Sequence, residues 1–130
     1  MAATVGIVLV SHSSLLAEGV AELIGALGSG RVGVRAAGGT DDGGVGTSYE
    51  KVVRAVDEAD SGAGVVVLAD LGSAVLTARM VLEDGADPRA VLVDAPFVEG
   101  AVAATVTANT GADLVAVVAA AEEARGFRKL

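Results

Sequence analysis

Four short runs of apolar residues recur along the chain, and each run is followed by small or polar residues. Near-continuous apolar runs of this length are typical of strands that are buried on both faces of a parallel sheet. The pattern therefore predicts four strands, at residues 5–10, 32–36, 65–69 and 90–93.

Between these runs, apolar residues recur at three- and four-residue spacing, which predicts amphipathic helices. Gly28 and Gly85 follow the first and third of these patterns, as glycine commonly does just past a helix end. Thr47 and Glu50 have the spacing of a capping box for the second helix. The predicted apolar stripes are Leu16, Val20, Leu23, Ile24 and Leu27; Tyr49, Val52, Val53 and Val56; Val75, Leu76, Met80 and Val81; and Val98, Val102 and Val106.

The pattern at residues 113–125 is ambiguous, because the apolar stretch 114–118 has the length of a strand. Asp113 is a favoured helix cap, the stretch continues into alanines, and Gly126 follows Arg125. These features favour a fifth helix over a strand.

Strands that alternate with helices indicate βαβ units with right-handed crossovers. We therefore expect an α/β fold, with a doubly wound and mainly four-stranded parallel sheet and helices on both faces. The chain has 130 residues, which is the length of one domain, and no linker, repeat or low-complexity tract divides it.

Composition excludes several classes of function. The chain has no cysteine, which excludes a disulfide framework, a thiolate zinc site and a cysteine nucleophile. Its formal net charge of -8 argues against sequence-independent binding of DNA or RNA, which needs clustered Lys and Arg. The apolar runs are far shorter than the roughly 20 residues of a membrane helix, and residues 1–10 lack the features of a signal peptide. We expect a small, acidic domain in the cytoplasm.

Candidate chemistry lies at the ends of the predicted strands, since ligands of open α/β sheets bind at the carboxyl ends of the strands. This rule selects residues 11–14, 38–43, 70–73 and 94–97. The segment 28–33 matches the dinucleotide spacing G-x-G-x-x-G, but it follows a helix and enters a strand, which is the reverse of the required context. Since no G-x-x-x-x-G-K-[ST] loop occurs either, we expect no nucleotide bound by the chain itself.

His12 is the only histidine in the chain. A lone histidine is usually a surface or half-buried side chain with no chemical role. This one ends a strand and precedes a helix that Ser13 or Ser14 would cap, where free N–H groups and the helix dipole favour an anion. An imidazole at that place can attack phosphorus, so position alone makes the structural and functional interpretations about equal.

Asp70 ends the third strand, which we expect to lie beside the first. Its structural interpretation is the N-cap of the next helix. Its functional interpretation is to accept a hydrogen bond from one ring nitrogen of His12, which fixes the tautomer and leaves the other nitrogen free to attack. Ser73 could donate to a phosphoryl oxygen or be an ordinary first-turn serine.

The glycine-rich loop at 38–43 can bring backbone N–H groups close to an anion. Asp41 and Asp42 argue against this, because adjacent carboxylates repel phosphate unless Mg²⁺ is present. On composition alone, a turn with solvated acidic side chains is slightly favoured.

Four segments together carry a resemblance to a known family: V-G-I-V-L-V-S-H-S-S-L-L-A-E-G-V (5–20), A-A-G-G-T-D-D-G-G-V-G-T-S (36–48), L-A-D-L-G-S-A (68–74) and A-P-F-V-E-G-A-V-A-A (95–104). The chain resembles the DhaM family, the phosphotransferase subunits of the phosphoenolpyruvate-dependent dihydroxyacetone kinases, whose domain is similar to the mannose-type EIIA domain. The resemblance covers nearly the whole chain in order. It implies one phosphoryl carrier domain at residues 1–126 and a short tail at 127–130.

The resemblance also implies roles for individual residues. His12 aligns with the histidine that is transiently phosphorylated, and Asp70 with the acidic residue that orients it. Ser13, Gly39, Thr40 and Ser73 are the phosphoryl-binding residues that we expect, and no metal ligand is implied. Phe97 stands where an aliphatic residue is more usual in the family, which concerns the wall of the site and not its chemistry.

The family implies the partners too. Such a subunit accepts its phosphoryl group from phospho-HPr and passes it to DhaL, the ADP-bearing kinase subunit, and it forms homodimers. No cofactor is then bound directly, because the phosphoryl group comes from phosphoenolpyruvate through HPr and ADP sits on the partner. Some members continue into HPr-like and enzyme I-like domains, which this chain does not reach. Leu15, beside the histidine, is a candidate docking residue for these partners.

Other interpretations remain open at this point. One is a mannose-type EIIA component of a sugar phosphotransferase system. Another is a receiver module that is phosphorylated on a carboxylate, with Asp70 or the Asp41–Asp42 pair holding Mg²⁺. The last is a small-molecule hydrolase that uses His12 and Asp70 on a phosphate ester. The sequence lacks a cationic clamp near the site for that reaction, since Arg79 and Arg35 are the only nearby candidates.

Overall fold

The structure is a computed structural model that describes residues 3–85 and 89–130. Strands and helices alternate along it until the last two helices. In chain order the elements are β1 (Gly6–Ser11), α1 (Ser14–Leu27), β2 (Val34–Gly38), α2 (Tyr49–Ala59), β3 (Val65–Ala69), α3 (Gly72–Gly85), β4 (Ala90–Leu92), α4 (Phe97–Asn109) and α5 (Leu114–Glu123), followed by a 3₁₀ turn at Ala124–Gly126.

The four strands form one parallel sheet in the order β2-β1-β3-β4. Each predicted strand is present, although the second begins two residues later than predicted, at Val34. Complete burial on both faces holds for β1 and almost all of β3, whereas the edge strands β2 and β4 are only partly buried. The expected burial of β2 is wrong because it has one neighbouring strand, and Arg35 and Ala36 are exposed.

Two apolar cores lie on opposite faces of the sheet, which confirms the doubly wound architecture. Ile7, Leu9 and Leu68 face one core, which α1, α4 and α5 cover. Val8 and Val10, the alternate residues of β1, face the other core, under α2 and α3. The alternation arises because successive side chains of a strand point to opposite faces.

The start of α2 differs from the predicted capping box. Ser48 is the N-cap, and its hydroxyl accepts a hydrogen bond from Lys51 N at 3.2 Å. Thr47 instead lies 2.8 Å from the hydroxyl of Thr77 on α3. The capping pair of Thr47 and Glu50 is therefore wrong by one position, because the helix begins one residue later.

The predicted apolar stripes of three helices are partly wrong. On α1, Val20 and Ile24 are buried, whereas Leu16, Leu23 and Leu27 are exposed. On α3 and α4, small residues face the core, and several large ones face outward. The inward residues are Ala74, Ala78 and Val81 on α3, and Gly100, Ala101, Ala104, Thr105 and Ala108 on α4. The exposed ones are Leu76 and Met80 on α3, and Val98 and Val106 on α4.

Close packing explains the small inward face of α4. A Cβ atom on Gly100 would lie 2.9 Å from Leu68 Cδ2 and from Ala95 Cβ, so that position has no room for a side chain. A helix so close to the sheet buries small residues, and two of its valines, Val98 and Val106, face outward.

The ambiguous segment at residues 113–125 forms α5 and the 3₁₀ turn, and not a strand. Asp113 caps α5, as predicted, and its carboxylate accepts a hydrogen bond from Ala116 N at 3.0 Å. None of the helices described here is long and apolar enough to cross a bilayer.

Candidate functional site

The site forms where β1 and β3 end side by side. Val10 is paired with Ala69 in the parallel register, and Asp70 N donates to Val10 O at 3.1 Å. The next residues, Ser11 and His12 on one strand and Asp70 on the other, are therefore held together at the carboxyl edge of the sheet. The sequence predicted this neighbourhood from the expected adjacency of the first and third strands.

The carboxylate of Asp70 accepts four hydrogen bonds from the residues described. Its Oδ1 accepts from His12 Nδ1 at 2.9 Å and from Leu71 N at 2.7 Å. Its Oδ2 accepts from Ser11 Oγ at 2.8 Å and from His12 N at 3.1 Å. Only 8% of the side chain is exposed. A carboxylate with this many donors has almost no freedom to rotate.

Two opposing effects act on the pKa of Asp70. Burial acts to raise it, but the hydrogen bonds from the His12 ring, the Ser11 hydroxyl and the backbone outweigh burial, so the pKa lies below its ordinary value. The group is therefore a carboxylate at neutral pH. Since an ionised carboxylate can only accept, Nδ1 of His12 carries the hydrogen in this contact.

With the hydrogen on Nδ1, the lone pair of the neutral ring is on the other nitrogen, Nε2. Nε2 contacts the hydroxyl of Ser73, in the first turn of α3. The side chain of His12 is 20% exposed, so this edge of the ring can be reached from solvent. The arrangement presents a nucleophilic nitrogen beside a hydroxyl that can donate to whatever binds there.

Two helices begin next to His12, and each begins with free N–H groups. Ser13 caps α1, as one of the two predicted caps, and in the described hydrogen bonds the N–H groups of Ser14 and Leu15 have no acceptor. The same holds for the N–H groups of Gly72 and Ser73 at the start of α3. Helix starts of this kind stabilise negative charge.

The glycine-rich loop after β2 holds the main chain of the site. Gly39, at φ +75°, donates its N–H to Ser11 O at 3.1 Å, and Gly46 donates to His12 O at 2.9 Å. Thr40 bonds within the loop, through its N–H to Gly44 O and its hydroxyl to Asp42. In the described hydrogen bonds, neither Gly39 nor Thr40 contacts the ring of His12, and their predicted role in binding the phosphoryl group stays a prediction.

The two adjacent acidic residues of that loop are engaged within it. Asp41 accepts from the hydroxyl of Ser48. The hydroxyl of Thr40, together with Gly44 N, lowers the pKa of Asp42, which is exposed. Among the residues described, no group of three or more His, Cys, Asp or Glu side chains is placed to hold a metal ion.

The cationic candidates lie apart from the ring. Arg35 donates to Val34 O at 2.8 Å and pairs with Glu58 at 3.6 Å, on the edge strand β2. Arg79 lines a cleft of about 440 Å³ between α3 and the end of β4, and Asp70 and Asp94 line the same cleft. In the contacts described, neither arginine reaches His12.

Three exposed apolar side chains lie within three residues, along the chain, of His12 or of a residue that hydrogen-bonds to it. Leu15 is 79% exposed at the start of α1, Leu71 is 65% exposed before α3, and Val45 is 85% exposed in the glycine-rich loop. We call these three the apolar rim. Phe97 is not part of the rim, since it is half-buried and packs against the core. The sequence suggested only Leu15 of the rim.

Ser11 lies in the segment 11–14 that the sequence selected, but the sequence reasoning gave it no role in the site. It is the last residue of β1, it is completely buried, and it donates to Asp70. The available signal was a hydroxyl residue at the end of an apolar strand, directly before the only histidine. That signal does not distinguish a site residue from the beginning of a turn.

Comparison with known proteins places this geometry in a family. The family model EIIA-man, described as the PTS system fructose IIA component, matches residues 6–118. The crystal structure of the unknown-function protein EF1359 matches with a TM-score of 0.85 and 36% identity, and the match covers 100% of this chain and 99% of that one.

Two relatives are named for their function. The phosphoryl donor subunit DhaM of the PEP-dependent dihydroxyacetone kinase of Escherichia coli is 42% identical over 120 residues, which are 88% of this chain and 25% of that protein. The phosphotransferase subunit DhaM of the PTS-dependent dihydroxyacetone kinase of Lactococcus lactis is 33% identical over 114 residues, which are 88% of this chain and 90% of that protein. The chain therefore spans about a quarter of the first relative and nearly all of the second.

Proposed function

Since this chain belongs to the EIIA-man family, and within it to the DhaM subunits, we propose that it carries a phosphoryl group on His12 between two protein partners. One observation supports this most strongly: the ring is held at Nδ1 by an ionised carboxylate, and Nε2 faces outward beside a hydroxyl. A nitrogen so placed can take a phosphoryl group and can also release it.

The first transfer needs no group beyond those described. The lone pair of Nε2 forms the N–P bond, while the bond between phosphorus and the donor's nitrogen breaks and the donor keeps that electron pair. The His12 ring then carries positive charge, which the Asp70 carboxylate stabilises through Nδ1–H. Ser73 turns its hydroxyl from Nε2 to a phosphoryl oxygen, and Ser13 and the free N–H groups of the two helices face the remaining negative charge.

The second transfer reverses the first. An acceptor oxygen attacks phosphorus, the N–P bond breaks, and Nε2 recovers its lone pair. A carrier must not bind its phosphoryl group too tightly, and this site fits that need, because in the contacts described no Arg or Lys reaches the ring.

Partners follow from the relatives' functions. The proposed donor is phospho-HPr, and the proposed acceptor is ADP bound to DhaL, the kinase subunit that phosphorylates dihydroxyacetone. We propose that the chain acts as a cytoplasmic homodimer and binds no cofactor itself. The apolar rim is the proposed docking surface for both partners, since each must bring its reacting group to the same nitrogen.

The test is transfer from phosphoenolpyruvate in the presence of enzyme I and HPr. The expected product is an acid-labile phosphoryl group that is absent from His12→Ala and is discharged when ADP-loaded DhaL is added. Transfer to a mannose-type sugar permease instead, with no discharge to DhaL, would identify a sugar phosphotransferase component. Metal-dependent labelling that survives in His12→Ala would identify the carboxylate-phosphorylated receiver.

One observation favours a second candidate function, that of an ester hydrolase. Ser73, His12 and Asp70 contact one another in the order of a Ser-His-Asp triad, in which the serine attacks an ester and the histidine takes its proton. Such a hydrolase would turn over p-nitrophenyl acetate with no protein partner, and Ser73→Ala would abolish turnover. If the chain is a phosphoryl carrier instead, its turnover of p-nitrophenyl acetate should not exceed that of the His12→Ala variant.

A further inference from the structure

Ser11 joins three parts of the site through its buried hydroxyl and its carbonyl oxygen. Its Oγ donates to Asp70 Oδ2 at 2.8 Å and accepts from Ser13 N at 3.1 Å. Its own carbonyl accepts from Gly39 N at 3.1 Å. The residue is 0% exposed, so water cannot replace any of these partners.

The direction of the hydroxyl follows from its partners. Ser13 N can only donate, and the ionised Asp70 can only accept, so the single hydroxyl hydrogen of Ser11 must point at the carboxylate. Hydrogen bonds to charged groups are the stronger ones, and they hold the geometry of the acceptor.

The two oxygens of Asp70 connect the Ser11 hydroxyl to the ring of His12. One oxygen binds the ring and the other binds Ser11, so a rotation of the carboxylate that broke one bond would misalign the other. Two main-chain donors also bind the carboxylate, His12 N on the same oxygen at 3.1 Å and Leu71 N on the other at 2.7 Å, and Ser11 adds the side-chain donor that shares Oδ2 with His12 N.

We infer that Ser11 is a positioning residue for phosphoryl transfer: its hydroxyl orients the Asp70 carboxylate, and through that carboxylate the Nδ1–H tautomer of His12. This inference rests on the proposed function, because it assigns Ser11 a role in the reaction of His12. Ser11 itself does not touch Nε2 or the phosphoryl group in the contacts described.

The experiment compares Ser11→Thr with Ser11→Val. The two substituted side chains have the same shape, both suit a strand, and only threonine keeps the hydroxyl. Phosphoryl transfer from phospho-HPr is measured over a range of donor concentrations, and the ring nitrogens of His12 are observed by ¹⁵N NMR. Thr105→Val is the matched control, since Thr105 is also 0% exposed, its hydroxyl bonds only Ala101 O, and it lies near Gly28 at the far end of α1.

Ser11→Val is expected to lower the maximal transfer rate roughly tenfold, in line with loss of a hydrogen bond to a charged group. The donor concentration for half-maximal rate should not change, and the Nδ1–H tautomer should lose its dominance. Ser11→Thr should restore both the rate and the tautomer, and Thr105→Val should resemble the parent in both.

Equal rates and equal tautomers in the Val and Thr variants would overturn the inference. If the added methyl group unfolds both, Ser11→Ala is compared with Ser11→Cys, which keeps a hydrogen-bond donor of similar size, and equal rates in that pair would also overturn it. Failure of the proposed function gives a different result, because the parent itself would then carry no phosphoryl group on His12.

Discussion

Asp70 lies at a buried position and is nevertheless a carboxylate, because four hydrogen bonds hold it in that state. These hydrogen bonds have two effects. They lower its pKa below the ordinary value despite burial, and they place one of its oxygens against Nδ1 of His12. The same contacts therefore connect folding and the proposed chemistry, and removing the charge should affect both.

We expect Asp70→Asn to slow phosphoryl transfer and to lower thermal stability in a pH-dependent way. A group whose pKa is lower in the folded protein stabilises the fold fully above its unfolded pKa, and the contribution is lost as the pH falls through the folded value. The difference in Tm between parent and variant should be largest near neutral pH and should shrink toward zero in acid. Melting curves from neutral to strongly acidic pH measure this.

The control is Asp57→Asn, an exposed aspartate in the last turn of α2. It should transfer phosphoryl groups at the parent rate. If Asp70→Asn transferred phosphoryl groups at the parent rate, Asp70 would have only a structural role at the end of β3. If the difference in Tm between parent and variant grew in acid, the lowered pKa of Asp70 would be contradicted.

The residues of the site differ in how far the sequence predicted them. His12 and Asp70 were found because two strand ends in a parallel sheet meet at one edge. Ser11 lay in a selected segment but received no role, because a serine after an apolar run has no pattern that distinguishes it from a turn residue. Ser48, and not Thr47, caps α2 because the helix begins one residue later than the spacing suggested, and either hydroxyl side chain makes a good cap.

At the scale of elements, the strands followed from their β-branched runs, whereas the inward faces of the helices did not. On α4 the valines dominate any hydrophobic pattern, yet alanine and glycine face the sheet because the helix lies so close to it. A pattern based on side-chain size cannot detect this closeness, which depends on the distance between elements and not on the residues of one helix.

This close packing leads to a prediction about two glycines. Gly100→Ala should destabilise the fold by about 1–3 kcal/mol, because the added methyl group would overlap side chains that cannot move away. Gly19→Ala, on the exposed side of α1 with nothing within 4 Å of the new methyl group, should stabilise the fold by about 0.5–1 kcal/mol. Urea unfolding of both variants measures the difference. Stabilisation of both variants would show that helix propensity, and not packing, governs α4.

At the scale of the whole molecule, one edge of the sheet carries both the proposed chemistry and the apolar rim. The order β2-β1-β3-β4 places the two central strands, β1 and β3, at the middle of this edge, with a helix starting after each. The sequence predicted the parallel sheet and the pairing of β1 with β3. It did not establish the order of all four strands, because each short apolar run could pair with any other.

The rim predicts where partners bind. Leu15→Gln should raise the phospho-HPr concentration for half-maximal transfer about fivefold, the equivalent of about 1 kcal/mol of docking energy, with Tm unchanged. Val115→Gln is the control, because Val115 is 78% exposed and, like Leu15, is the second residue of its helix. Equal effects of the two substitutions on this concentration would exclude a specific role for the rim.

The most direct test of the account is to identify which ring nitrogen of His12 carries the phosphoryl group. The protein is labelled with ¹⁵N in histidine, phosphorylated through enzyme I and HPr, and observed by ¹⁵N and ³¹P NMR at neutral pH. Because Asp70 holds Nδ1–H, we expect phosphorus bonded to Nε2, with Nδ1 still protonated. Phosphorus bonded to Nδ1 would contradict the account, since the Asp70–His12 bond would have to break before transfer.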